Sequence, residues 1–150
     1  MQIDPSIPAD DAAPQTAESA SIEGVRILVA EDNELNMEIA QFLLENNGAH
    51  VTGVWNGQEA VEAFAASKPG DFDIILMDVM MPVLNGLEAA RAIRSLDRPD
   101  AKRIPILAMT ANAFADDVER SLAAGINEHL SKPIDPDKVV KTIAKYVHKR

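Results

Sequence analysis

Short apolar segments alternate with longer amphipathic segments from residue 25 to the end of the chain. The apolar segments have the length and the nearly continuous apolar character of strands that are buried on both faces. The segments between them repeat apolar residues at helical spacing, and Asn, Gly or Pro marks most of their ends. The pattern predicts strands at 25–30, 49–54, 72–77, 104–109 and 127–130, and helices near 33–46, 56–68, 86–96, 112–124 and 135–148.

This alternation predicts an α/β fold, because parallel strands need crossover connections and helices usually provide them. A doubly wound sheet carries helices on both faces, and its ligands lie beyond the carboxyl ends of the strands. The sequence shows no internal repeat and no sign of a second folded domain. We therefore expect a single folded domain over residues 24–150.

Residues 1–23 lack any helical or alternating apolar period. They contain three prolines and five acidic residues, and no basic or aromatic residue. This composition predicts a disordered acidic leader or linker. An acidic docking arm is the alternative interpretation.

Net charge and cysteine content narrow the classes of function. The chain of 150 residues carries a formal charge of −10 and has no cysteine. Such acidity disfavours a nucleic-acid partner, and the missing thiols exclude disulfides and cysteine-based zinc sites. No apolar run approaches the roughly 18 residues of a membrane span, and the N-terminus does not resemble a signal peptide. We expect a cytoplasmic domain without membrane contact.

Polar residues follow the predicted strands at the edge where parallel strands end together. Three of them are carboxylates, which repel one another when close and require a positive charge to stay ionised. Oxygen ligands without His or Cys favour Mg²⁺, with Mn²⁺ as an alternative. Taken singly, these residues could be ordinary helix caps. The set consists of Glu31, Asp32, Asp78, Thr110, Ser131 and Lys132.

A metal, a hydroxyl and a lysine around one poised carboxylate suit phosphoryl transfer. Asp78 would attack phosphorus. Lys132 and the metal would neutralise the phosphoryl oxygens, and Thr110 would hydrogen-bond one of them.

The motifs that carry these residues resemble the receiver domain of two-component response regulators over residues 25 to about 148. They resemble most closely the receivers of hybrid sensor histidine kinases. The resemblance implies a flavodoxin-like (βα)5 doubly wound parallel sheet with strand order 2-1-3-4-5. The matching sequences are VAEDN at 29–33, LMDVMMP at 76–82, Gly86, MTA at 109–111 and SKP at 131–133.

The resemblance also implies a role for each site residue. Asp78 is the phosphoacceptor, and Asp32 and the backbone carbonyl of Met80 join it as Mg²⁺ ligands, with Glu31 binding directly or through water. Thr110 is the switch hydroxyl, Lys132 pairs with the phosphate, and the Lys132–Pro133 bond is expected to be cis. The second switch position, often Tyr or Phe in the family, is His129 here. His129 is either a tolerated neutral side chain or a pH-sensitive switch.

A receiver of this kind is a phosphoacceptor signalling domain rather than an enzyme. The resemblance implies a histidine kinase domain as phosphoryl donor and a His phosphotransfer domain as the next acceptor. We expect a monomer, whose leader could be the linker from an upstream kinase core. A stand-alone regulator remains the alternative.

The first predicted helix carries two apolar stripes. The larger stripe, expected to face the sheet, consists of Leu35, Ile39, Phe42 and Leu43. The smaller stripe is either a widening of the core face or a docking surface for a His-bearing helical partner. It consists of Met37, Ala40 and Leu44, with Met37 and Leu44 as the candidate docking residues.

Three other functions fit less well. A phosphohydrolase of the haloacid dehalogenase type needs a second Asp two residues after the nucleophile, where this chain has Met80. A nucleotide-binding module needs a glycine-rich phosphate loop, and Val54 stands where that loop requires lysine after Gly48 and Gly53. A degenerate receiver used only for binding would not require an intact Asp78 and Lys132.

Overall fold

The computed structural model describes residues 21–78, 86–110, 124–131 and 135–148. Within these ranges the strands form one parallel sheet in the order β2-β1-β3-β4-β5, which confirms the predicted flavodoxin-like topology. The strands are β1 (Arg26–Ala30), β2 (His50–Val54), β3 (Ile74–Asp78), β4 (Ile106–Thr110) and β5 (Glu128–Ser131). The helices are α1 (Glu34–Asn46), α2 (Gly57–Ala66), α3 (Gly86–Arg94) and α4 (Pro136–His148), and a short 3-10 helix covers Pro99–Lys102.

Asparagine N-caps mark the first turns of the first two helices. The Asn33 side chain accepts a hydrogen bond from the backbone N–H of Asn36, and the Asn56 side chain accepts one from Glu59. These bonds satisfy donors that the first helical turn leaves free. Gly48, with φ of +91°, turns the chain after α1 as predicted. The predicted helix at 112–124 lies almost wholly outside the described residues.

Three strands end one residue later than the sequence pattern predicts. β3 covers Ile74–Asp78, β4 ends at Thr110 and β5 ends at Ser131. Asp78 and Thr110 were predicted to follow their strands, and they are instead the last strand residues. The apolar pattern stops before each polar residue, whereas the ladder hydrogen bonds continue through it. The sheet therefore fixes the backbone of both residues.

The core has one layer on each face of the sheet. Ile27 and Val29 of β1 belong to the cluster that contains the buried residues of α1 and α4. Leu28 and Ala30, which point the other way along the strand, belong to the cluster that contains those of α2 and α3. The central strand β3 is buried along its whole length. No helix in the described part of the chain is long and apolar enough to span a membrane.

The folded part begins earlier than residue 24. Ile22 is only 1% exposed and packs in the same core cluster as Val25 and Leu44. The backbone N–H of Gly24 donates to the carbonyl of Gly48 at 2.8 Å, which attaches this segment to the end of α1. Ile22 and Glu23 therefore belong to the domain and not to the leader. Residues 1–20 lie outside the described residues, and the leader remains a prediction for them.

Of the larger stripe of α1, Leu43 is buried as predicted, whereas the other three residues are exposed; the smaller stripe is part of the core face, which was one of its two interpretations. Met37 and Leu44 are buried, with exposures of 2% and 1%, whereas Leu35 and Phe42 are 64% and 73% exposed. Gly53 in β2 suits this packing, because a Cβ at Gly53 would lie 2.9 Å from the Met37 sulfur and the side chain would have to shift. The prediction that Met37 and Leu44 form a docking surface is therefore wrong.

Arg98 joins the segment after α3 to the end of α2. Its guanidinium donates to the carbonyl oxygens of Phe64 and Ser67 at 2.6 and 2.8 Å, and it pairs with Asp100. The hydrogen bonds from Arg98 lower the pKa of the Asp100 carboxyl. This anchor lies at the amino edge of the sheet.

The burial of Ile22 yields a test of the domain boundary. Ile22→Ala should lower the free energy of unfolding by about 2–5 kcal/mol, because it removes buried methylene groups from a packed core. Ile39→Ala makes the same change at a position that is 46% exposed, and it should change stability by less than about 0.5 kcal/mol. Urea denaturation measures both, and equal losses would contradict the assignment of Ile22 to the core.

Candidate functional site

Three carboxylates meet at the carboxyl edge of the sheet. Glu31 and Asp32 follow β1, and Asp78 ends β3, which pairs directly with β1. Each of the three residues offers an oxygen, and these oxygens all lie within 4.8 Å of one another. Glu31 and Asp78 are buried, whereas Asp32 is exposed. The convergence predicted from the sequence is thus present for these three residues.

Hydrogen bonds at the turn between β1 and α1 hold Glu31 in place. The backbone N–H of Glu31 donates to the Val54 carbonyl at 3.1 Å, which continues the pairing of β1 with β2. The Glu31 carboxylate accepts a hydrogen bond from the backbone N–H of Asn33 at 3.1 Å. Asn33 in turn caps α1. Backbone hydrogen bonds therefore fix Glu31 on the β1 side, and the ladder fixes Asp78.

The cluster fits a hard divalent cation. Like charges this close disfavour ionisation of one another, and burial of two of them adds a desolvation cost. A divalent cation offsets both effects, and an all-oxygen donor set favours Mg²⁺ over Zn²⁺. Glu31, Asp32 and Asp78 are the side chains that would hold it. The backbone carbonyl of Met80, the fourth predicted ligand, lies outside the described residues.

Three of the other predicted site residues belong to β4, which pairs with the strand of Asp78, and to β5, the next strand in the sheet. Thr110 ends β4 and pairs with Ser131, and Met109 pairs with Asp78. His129 pairs with Ala108 and is half-buried. Lys132 follows Ser131 directly but lies outside the described residues. The topology therefore brings the backbone of Thr110 to the edge where the carboxylates lie, and the role of Lys132 stays a prediction.

The sequence pattern assigned several residues of α1 to the core, but in the structure they line an exposed apolar groove next to this site. The groove has a volume of about 510 Å³ and is formed by α1 and the first residue of α4. Both helices begin at the carboxyl edge, because each follows a strand of the parallel sheet. The apolar side chains that line the groove are Leu35, Ile39, Phe42, Leu43 and Pro136.

Comparison with known proteins defines the family. A family model of the response regulator receiver domain matches residues 27–144. The matched residues include Glu31, Asp32 and Asp78, and they also include strands β4 and β5. The chain belongs to the response regulator receiver family.

Individual relatives agree with this assignment. Hybrid signal transduction histidine kinase I of Dictyostelium discoideum is 39% identical over 128 residues, which cover 81% of this chain and 7% of the kinase. The chain thus spans a small fraction of the length of that relative. The solved receiver domain of sensor histidine kinase PA1611 from Pseudomonas aeruginosa PAO1 has a magnesium ion in its active-site cleft. It is 36% identical with a TM-score of 0.75, over 83% of this chain and 98% of that one.

A second solved structure contains a receiver together with a partner. The receiver domain of the Saccharomyces cerevisiae response regulator Ssk1 was crystallised in complex with the histidine phosphotransfer protein Ypd1 of the same organism. The similarity has a TM-score of 0.72 and 28% identity, and it covers 84% of this chain and 90% of the other.

The carboxylate cluster makes a prediction about metal binding. Without Mg²⁺, Asp32→Asn should be more stable than the wild type, because it removes one of three like charges. Mg²⁺ should stabilise the wild type by roughly 2–3 kcal/mol when its free concentration is about 100 times Kd, and the variant should gain far less. Thermal unfolding with and without MgCl₂ measures both effects. Asp97→Asn, at an exposed position outside the cluster, is the control. An equal gain in Asp32→Asn and wild type would contradict the proposed ligand set.

Proposed function

We propose that this receiver accepts a phosphoryl group on Asp78 from the phosphohistidine of a kinase domain and passes it to a histidine phosphotransfer protein. The observation that supports the proposal most directly is the position of Asp78: buried, at the end of the central strand, and beside two further carboxylates. A nucleophile that attacks an anionic phosphoryl group needs positive charge around it, and this cluster is suited to hold Mg²⁺, or Mn²⁺ as an alternative.

The transfer step follows from the chemistry of the two groups. A carboxylate oxygen of Asp78 forms a bond to phosphorus while the bond between phosphorus and the donor imidazole nitrogen breaks. The electron pair of that bond remains on the imidazole nitrogen. Bound Mg²⁺ would supply charge neutralisation for the phosphoryl oxygens. In the second transfer, an acceptor imidazole attacks the phosphorus and Asp78 leaves as a carboxylate.

The remaining roles are carried over from the family motifs. Lys132 pairs with the phosphoryl group, and Thr110 hydrogen-bonds one of its oxygens. Phosphorylation then biases a two-state equilibrium in which Thr110 and His129 are the switch positions. We propose that the domain acts in the cytoplasm as a monomer, without a nucleic-acid partner or membrane contact. We also propose that the parent chain is a hybrid histidine kinase.

The exposed groove on α1 is the proposed docking site of the donor and acceptor proteins. Three of the four large hydrophobic side chains that the described residues expose lie on this helix, namely Leu35, Ile39 and Phe42. An apolar stripe of this spacing fits the apolar face of a partner helix. The groove starts at the carboxyl edge, so a bound helix would present its histidine close to Asp78. The complex of Ypd1 with the Ssk1 receiver is consistent with a phosphotransfer partner.

The charge around the groove specifies the partner further. Glu34, Glu38 and Glu45 are exposed on α1, and the helix contains no basic residue. A partner face with an apolar centre and basic flanks is complementary to this surface. A second copy of the chain would place acid against acid, which disfavours dimerisation through α1.

Chemical phosphorylation tests the proposed acceptor. Acetyl phosphate with Mg²⁺ should add one phosphoryl group to the wild-type chain, because Asp78 is the nucleophile. Asp78→Ala should remain unmodified by intact-protein mass spectrometry, and Asp97→Ala should behave like the wild type. Chelation of Mg²⁺ should abolish the modification of the wild type. Phosphorylation of Asp78→Ala would refute the assignment of the acceptor.

Transfer from a protein donor tests the docking site. Phe42→Glu should slow phosphoryl transfer from a phosphorylated histidine phosphotransfer protein of the same organism by about tenfold or more, since it removes an apolar anchor from the interface. Phosphorylation by acetyl phosphate should not change, because the small donor does not use the groove. Rapid-quench measurement of both rates separates docking from chemistry.

Two controls accompany this prediction. Phe42→Leu keeps the apolar character and should retain most of the transfer rate. Glu38→Lys reverses a charge at the groove and should slow transfer, whereas Glu62→Lys makes the same change on α2 and should not. Equal effects of the two lysine variants would contradict the proposed charge complementarity.

A further inference from the structure

Arg94 and Asn127 form a hydrogen-bonded junction at the amino edge of the sheet. The Arg94 guanidinium donates to the Asn127 Oδ1 at 3.0 Å and makes two bonds to the Gly125 carbonyl at 3.1 and 2.7 Å. A further bond reaches the Ala101 carbonyl at 3.0 Å. One side chain at the end of α3 thus holds the segments that precede β4 and β5.

Asn127 extends the pairing of β5 with β4 by one step. Its backbone N–H donates to the Ile106 carbonyl at 2.8 Å, and its Oδ1 accepts from the Ile106 N–H at 2.8 Å. The side-chain oxygen therefore accepts the hydrogen bond that a backbone carbonyl would accept if the strand were longer. The Tyr146 hydroxyl of α4 also contacts the Asn127 carbonyl at 3.3 Å and donates to Glu128 at 2.8 Å.

Gly125 is adapted to this junction. Its φ is +100°, which favours glycine, and a Cβ at this position would lie 2.6 Å from the Arg94 Cγ. A side chain here would displace the guanidinium from the carbonyl that it holds. Gly125 therefore suits the contact with Arg94 in two ways: its backbone has a positive φ, and it has no Cβ that would clash with the Arg94 side chain.

The position of β5 depends on such a junction because the strand is short. β5 has four residues and lies at the edge of the sheet, where β4 is its neighbour. In a strand, a slip of one residue exchanges the two faces. Four residues give few ladder bonds against such a slip, and the junction adds several bonds at the amino end of the strand.

We propose that Arg94 and Asn127 are positioning residues for phosphoryl transfer, because they fix the register of β5, whose last residue, Ser131, directly precedes Lys132 in the sequence. The inference rests on the proposed function of Asp78 and Lys132. Neither residue touches the reacting groups, since the junction lies at the opposite end of the strand.

Substitution at the junction should affect phosphorylation but not metal binding. Arg94→Ala and Asn127→Ala should slow phosphorylation by acetyl phosphate about tenfold, the scale expected when a catalytic group is displaced by a fraction of an ångström to an ångström. The Mg²⁺ affinity, measured by titration calorimetry, should not change, because its ligands lie at the ends of β1 and β3. Asn127→Asp retains the acceptor oxygen and should restore the rate.

Arg98→Ala is the matched control. Arg98 makes a comparable set of bonds to Phe64, Ser67 and Asp100, also at the amino edge, and within the described ranges it makes none to residues 124–131. Its removal should destabilise the fold while leaving the phosphorylation rate unchanged. Equal slowing in Arg94→Ala and Arg98→Ala would overturn the proposal, and so would an Asn127→Asp variant as slow as Asn127→Ala.

Amide hydrogen exchange tests the junction without relying on phosphorylation. Asn127 is exposed, so water can replace its bonds and Asn127→Ala should remain folded. The amides of Leu130 and Ser131 should then exchange about tenfold faster, while those of β1 and β3 keep their protection. Unchanged exchange in β5 would overturn the proposal. If the exchange result holds but the wild type is not phosphorylated, the proposed function fails, and the role in phosphoryl transfer fails with it.

Discussion

The repulsion among Glu31, Asp32 and Asp78 is the constraint on which the rest of the structure depends. Their oxygens lie within 4.8 Å of one another, and two of the residues are buried. The fold cannot relieve this repulsion by moving them, because Asp78 ends a fully buried strand and backbone hydrogen bonds fix Glu31. A divalent cation bound by these oxygens would offset the repulsion. A phosphoryl group adds further negative charge at the same place, so it increases the same requirement.

Much of the fold could be predicted because a buried parallel sheet leaves a simple signal in the sequence. The strand order came from resemblance, whereas the alternation of strands and helices came from the apolar pattern. The pattern could not locate the strand ends, since ladder hydrogen bonds include Asp78 and Thr110 although their side chains are polar. It also could not assign Ile22, a single apolar residue beside an acidic segment. It is buried in the core cluster that also contains residues of α1 and α4, and the local apolar pattern does not reveal this.

The faces of α1 show that helical periodicity alone does not identify the side of a helix that packs against the sheet. Both stripes have helical spacing, and the stripe with the larger side chains was assigned to the core. One relevant residue is in another element: Gly53 of β2 leaves room for the Met37 sulfur against the backbone. A glycine within a strand indicates such an approach, and it is the signal that could have identified the correct face. Leu35, Ile39 and Phe42 are exposed instead.

The two edges of the sheet carry different kinds of side-chain interaction. At the amino edge, three arginines join separate segments: Arg26 pairs with Asp73, Arg98 holds the end of α2, and Arg94 holds the segment before β5. An arginine remains charged under all ordinary conditions, and its rigid planar fork makes several directed bonds at once. The carboxyl edge instead carries the cluster of three acids. The contacts that join segments at the amino edge are therefore separate from that cluster, and a charge added to the cluster lies at the opposite end of the strands from them.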